Sequence, residues 1–129
     1  MNLAGFVPLS LCDYPGRVAA VVFTQGCNFR CPWCHNGHLL PLLSDPSKKR
    51  VSEDEVVNVL AERRTRLGGV VVSGGEPTLQ VALPRFLRRV KALGLAVKLD
   101  TNGSHPEVLR QLLQERLLDF IAMDIKAPW

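Results

Sequence analysis

Val18-Ala19-Ala20-Val21-Val22-Phe23-Thr24 is the stretch on which the fold reading turns. Its apolar part, Val18–Phe23, is the longest uninterrupted apolar run of the chain. It is far too short to cross a bilayer. A short, Val-rich run that is apolar at successive positions reads as a strand covered on both faces. The run stops at Gly26, and a loop carrying Cys27, Cys31 and Cys34 follows.

The same pattern recurs along the chain. Residues 41–50 hold Pro41, Ser44, Pro46, Ser47 and Lys48-Lys49-Arg50, which read as a surface loop. Ser52-Glu53-Asp54-Glu55 is a capping box, and Val56, Val57, Leu60 and Ala61 continue it at helical spacing. Gly69-Val70-Val71-Val72-Ser73 is a second buried strand, ending at Gly74-Gly75. Thr78 is expected to cap a helix through Leu79, Leu83, Phe86, Leu87, Val90 and Leu93. Pro84 disfavours its first turns, and Gly94 stands where a helix-ending glycine belongs. Leu95–Leu99 reads as a third strand, ending at Asp100. Ser104-His105-Pro106-Glu107 reads as a further capping box before Leu109, Leu112 and Leu113, and Leu118–Ile125 as a fourth strand. This alternation predicts an α/β fold with right-handed crossovers and a parallel sheet. Ligands then gather beyond the carboxyl ends of the strands. That rule predicts one rim for the Cys loop, Gly74-Gly75-Glu76-Pro77, Asp100-Thr101-Asn102-Gly103 and Asp124-Ile125-Lys126.

Composition narrows the class. The chain has 129 residues, 47% hydrophobic and 22% charged, close to the globular average for one domain. Sixteen Lys and Arg against twelve Asp and Glu leave +4, too mild without a patch to argue for nucleic acid. Residues 1–12 carry no Lys or Arg, and Pro8 interrupts their apolar stretch, so the expected compartment is the cytoplasm, with no membrane partner. There, clustered cysteines suggest metal or redox chemistry more than disulfides. Cys12, outside the cluster, reads as a partly buried thiol, and His38 and His105 as surface or capping residues.

Cys27-Asn-Phe-Arg-Cys31-Pro-Trp-Cys34 spaces three thiols as C-x₃-C-x₂-C. Three thiolates can ligate three irons of a 4Fe–4S cluster and leave the fourth open to a substrate. A zinc site would need a fourth ligand, for which His35 or His38 could serve. Cys31-Pro-Trp-Cys34-His35 also fits the haem c attachment pattern, and Cys31–Cys34 a thioredoxin-like pair. Both leave Cys27 unused.

Cys27–Cys34, followed by His35-Asn36, resembles the signature of the radical S-adenosylmethionine (SAM) enzymes. Gly26–Asn36 resembles more narrowly the activating enzymes of glycyl radical enzymes. Asp13-Tyr14-Pro15-Gly16 and Phe23-Thr24-Gln25-Gly26 resemble the anaerobic ribonucleoside-triphosphate reductase activating proteins. The resemblance implies that Cys27, Cys31 and Cys34 hold the cluster and that its open iron chelates SAM. It implies that Trp33 and His35 line the adenine site. It assigns Gly74, Gly75 and Glu76 to the methionyl end of SAM, and Asp124, Lys126, Asp100 and Thr101 to further SAM contacts, with a monovalent cation beside the carboxylate. The chemistry implied is reductive cleavage of SAM to a 5′-deoxyadenosyl radical, which makes a glycyl radical on a partner enzyme. A flavodoxin- or ferredoxin-like protein is the implied electron donor.

The fold implied is a partial (β/α) barrel of the radical SAM type. The superfamily core usually has six β/α units, whereas four strands are counted here. The expectation is therefore a single radical SAM domain over 1–129, the N-terminal part of a barrel truncated after the fourth strand, with an unpaired edge and an exposed Trp129. Two rival readings stay open: a radical SAM enzyme acting on a small molecule or RNA, and an inactive iron–sulfur or zinc-binding fragment.

Overall fold

The computed structural model describes residues 1–29 and 50–124. The expected strands form one sheet in chain order, with an additional strand at its start. This first strand, β1 (Leu3–Ser10), pairs antiparallel with β2 (Ala19–Thr24). Strands β3 (Gly69–Gly74), β4 (Ala96–Thr101) and β5 (Phe120–Met123) then follow in parallel. The sheet is thus mostly, rather than wholly, parallel. Pro8 is what hides β1 in the sequence. The register slips between Val7 and Ser10, and a proline that cannot donate to a ladder fits such a slip on an edge strand.

Three helices connect the parallel strands. Helix α1 (Glu53–Arg63) starts as its capping box predicts, with Ser52 Oγ accepting from Glu55 N at 3.4 Å. Helix α2 (Leu83–Ala92) starts later than expected, with Pro84 in its first turn. Thr78 does not cap it; Pro77–Leu79 form a separate 3₁₀ turn capped by Glu76. Gly94 ends α2 with φ +80°, as a helix-ending glycine should. Helix α3 (Pro106–Gln114) has His105, not Ser104, at its cap position, so the expected second capping box does not form. The strand expected over Leu118–Ile125 is confined to Phe120–Met123 among the described residues. The surface loop expected at 41–50 lies outside them except for Arg50, and His38 and Trp129 lie outside them as well.

The two faces of the sheet differ. Ala20, Val22, Val70, Val72, Val97 and Leu99 point to one side, where they pack with Val56 and Leu60 of α1, Phe86 and Val90 of α2, and Leu109 and Leu112 of α3. All three helices therefore cover the same face. A sheet in sequential order with its helices on one side is an arc of a (β/α) barrel, not a doubly wound sheet. The opposite face carries a small cluster of Tyr14, Ala19, Val21 and Val71. Lys98 lies beside it, donating to the Asp13 carbonyl at 2.7 Å and pairing with Asp100 at 2.9 Å. The Asp13-Tyr14-Pro15-Gly16 segment is thereby strapped to the sheet. No helix among the described residues is long and apolar enough to cross a membrane.

Candidate functional site at the carboxyl rim of the sheet

The segment that leads into Cys27 is held at three successive carbonyls. Thr24 O accepts from Gly75 N at 3.0 Å, Gln25 O from Gln80 Nε2 at 2.9 Å, and Gly26 O from Glu76 N at 2.7 Å. Gln80 also accepts from Asn2 N at 2.9 Å, which ties in the start of β1. Gly26 turns the chain at φ +100°, a conformation open mainly to glycine.

Gly74 and Gly75 make this clamp possible. A Cβ on Gly75 would lie 2.0 Å from Gly26 O, and one on Gly74 would lie 2.3 Å from Thr24 N. In the structure the close approach is to the backbone beneath Cys27. The two glycines therefore fix the base of the Cys loop.

Glu76 is 1% exposed. Its Oε1 accepts from Thr78 N at 3.2 Å, Thr78 Oγ1 at 2.5 Å and Thr101 Oγ1 at 2.6 Å. Its Oε2 accepts from Asn102 N at 2.7 Å. The carboxylate thus ties the end of β3 to the end of β4. A carboxylate has about four lone-pair sites, so Oε2 keeps acceptor capacity for a further donor. His105 Nδ1 lies between two hydroxyls, 3.2 Å from Thr78 Oγ1 and 3.0 Å from Ser104 Oγ, which joins it to the same network.

Asn102 makes a turn, a common use of Asn before Gly: its Oδ1 accepts from Ser104 N at 3.0 Å. It also does more. Its Nδ2 donates to Asn28 Oδ1 at 3.0 Å and reaches Cys27 Sγ at 3.9 Å. Asn28 in turn donates to Ser104 Oγ at 2.9 Å, and Phe29 N donates to Cys27 Sγ at 3.4 Å. N–H groups aimed at a sulfur suit a thiolate that ligates metal. On this donor set the described part of the Cys loop fits a cluster ligand.

The remaining predicted residues fall as follows. Thr101 is buried beside Glu76 at the end of β4. Asp100 lies on the opposite face of the sheet, paired with Lys98. Asp124 follows β5, exposed, with its N–H on Thr101 O at 3.0 Å. Cys31, Trp33, Cys34, His35 and Lys126 lie outside the described residues. The structure thus brings together Cys27, Gly74, Gly75, Glu76 and Thr101, with Asp124 N bonded to Thr101 O. Sequence reading missed Asn28, Thr78, Gln80, Asn102 and His105 as members of the network. Cys12 is exposed, not partly buried, near Ser10 and Asp13.

Residues 21–129 match the sequence model of the Radical SAM superfamily. The chain belongs to that superfamily. Membership carries a 4Fe–4S cluster and SAM with it as cofactors. A protein of Methanocaldococcus jannaschii, provisionally named a glycyl-radical enzyme activating enzyme, is 40% identical, over 96% of this chain and 50% of its own length. The pyruvate formate-lyase-activating enzyme of Staphylococcus aureus strain USA300 is 35% identical, over 92% of this chain and 50% of its own. The chain spans about half the length of these curated relatives. Among solved structures, QueE from Escherichia coli superposes with a TM-score of 0.59 at 21% identity, covering 81% of this chain and 51% of that one. At that identity the likeness is one of fold, and it agrees with the barrel arc seen in the radical SAM chain.

Proposed function

We propose that this chain carries the cluster- and SAM-binding part of a glycyl-radical enzyme activating enzyme. The observation that carries the reading is the hydrogen-bonded convergence of Cys27, the Gly74-Gly75-Glu76 turn and the Thr101-Asn102 end of β4 on one rim. Residues 1–129 act in this reading as a single radical SAM domain, the N-terminal part of a barrel. Its setting is the cytoplasm.

Cys27, Cys31 and Cys34 hold the cluster. The chemistry that the bound pair supplies is one-electron reductive cleavage of SAM to a 5′-deoxyadenosyl radical able to take a hydrogen atom from a glycine Cα. This chain's residues orient the reactants. The clamped carbonyls of Thr24, Gln25 and Gly26 hold the first ligand still before the cluster arrives, as preorganisation requires. Glu76 Oε2 would accept from the methionyl ammonium, with Gly74 and Gly75 on the same turn beside it. Trp33 and His35 line the adenine site. Asp100, Thr101, Asp124 and Lys126 would serve the carboxylate end of SAM, with a monovalent cation suited to the carboxylate and hydroxyl oxygens of Asp100, Asp124 and Thr101. The names of the relatives support a glycyl radical enzyme as protein substrate. Asp13-Tyr14-Pro15-Gly16 and Phe23-Thr24-Gln25-Gly26 favour anaerobic ribonucleoside-triphosphate reductase as that partner. A flavodoxin- or ferredoxin-like protein is the electron donor in this reading, and the basic Lys48-Lys49-Arg50 run suits an acidic one.

The test is electron paramagnetic resonance of the reduced, reconstituted protein mixed with SAM and that reductase under anaerobic conditions. The expected result is a glycyl radical doublet that requires all three components. SAM cleavage without any protein radical would overturn the activase reading in favour of a small-molecule or RNA substrate.

A further inference from the structure

We infer that Asn102 is a positioning residue that donates a hydrogen bond to the Cys27 thiolate and so raises the reduction potential of the cluster held there. The inference rests on the proposed cluster reading and deepens it.

The geometry leaves the Asn102 amide one orientation. Its oxygen accepts from Ser104 N at 3.0 Å, so the Nδ2 end must face the Cys loop. One Nδ2 hydrogen goes to Asn28 Oδ1 at 3.0 Å, and the second is left for Cys27 Sγ at 3.9 Å. Asn28 is oriented in the same way, because its own nitrogen donates to Ser104 Oγ at 2.9 Å. A closed set of bonds therefore aims one amide proton at one sulfur. The set is anchored in turn to Glu76, whose Oε2 accepts from Asn102 N at 2.7 Å. The same carboxylate that is proposed to meet SAM thus holds the backbone of the residue that meets the ligand sulfur. Reduction adds negative charge to an iron–sulfur cluster. A donor aimed at a ligand sulfur stabilises that charge, so the potential rises with each such bond.

The experiment is a redox titration of the anaerobically reconstituted full chain, followed by electron paramagnetic resonance, comparing the parent protein with Asn102→Ser and Asn28→Ala. Serine keeps a side-chain oxygen for the Ser104 N–H turn but has no amide to reach Cys27. The expected result is a more negative midpoint for Asn102→Ser at equal iron content. At a fixed potential its reduced-to-oxidised ratio should fall roughly tenfold, about 59 mV for a one-electron couple. Asn28→Ala, which frees one anchor of the amide, should shift the midpoint in the same direction by less. If Asn102→Ser holds no cluster, the Asn28→Ala shift decides. An unchanged midpoint in a variant that holds its cluster would overturn the inference and leave the cluster reading standing. A parent protein that assembles no cluster would overturn the reading beneath it.

Discussion

The middle of the sheet and its carboxyl rim are built from the same strands, one or two residues apart, yet they are held together by different forces. In the middle, Val22, Val70, Val72, Val97 and Leu99 are wholly buried against Phe86, Leu60 and Leu112. At the rim the residues that are just as buried are Thr24, Glu76 and Thr101. The middle gains its stability from apolar area, which is tolerant of shape but sensitive to lost volume. The rim gains its geometry from hydrogen bonds, charge-assisted at Glu76 and neutral at the carbonyls of Thr24, Gln25 and Gly26, so it tolerates little change of chemistry. Along each strand, stability gives way to function within one or two residues of the rim.

The comparison can be broken at either end. Phe86→Ala removes the largest ring of the helix-covered layer and should cost about 4 kcal/mol, read from urea unfolding. The folded fraction should still bind its cluster with an unchanged midpoint. Gly75→Ala places a methyl against Gly26 O and should cost about 3 kcal/mol. Unlike Phe86→Ala, it should also lower the iron content of the folded protein, because the base of Cys27 must move. Glu76→Gln turns an amide N–H toward Asn102 N and should cost about 2 kcal/mol, with weaker SAM binding by calorimetry. Equal iron content in the parent and Gly75→Ala would erase the distinction between the two regions.

The smallest expected effect lies away from both regions. Burial pushes the Asp119 carboxyl up, but hydrogen bonds from Lys91 Nζ at 2.7 Å and Val97 N at 2.8 Å outweigh it and hold it below its ordinary 3.8. A depressed carboxyl contributes stability that is present above its unfolded value and is lost as pH falls through the folded one. The side chain is 39% exposed, so solvent screening limits the contribution to a few tenths of a kcal/mol. Asp119→Asn should flatten the fall in unfolding free energy as pH drops below about 4.

The parallel strands were legible because strands covered on both faces must be apolar throughout. Strand β1 was not, because Pro8 and Gly5 break its pattern and its pairing to β2 tolerates slips there. The start of α2 was misplaced because the Thr78 hydroxyl is drawn to Glu76 and not to a helix. Thiol spacing made the Cys loop legible. The clamp beneath it was not, since it runs through backbone carbonyls and the side chain of Gln80, which no motif marks. Asn102 shows the same limit: a turn signal in sequence also serves as a donor to Cys27, because folding brings positions 27 and 102 together.

The most direct test of the rim as a radical SAM site is anaerobic reconstitution with iron and sulfide, reduction, addition of SAM and assay of 5′-deoxyadenosine, with Cys27→Ala and Cys34→Ala as paired variants. Deoxyadenosine is expected from the parent protein and none from either variant. A fully assembled cluster that leaves SAM intact, or cleavage that survives loss of Cys27, would contradict that expectation.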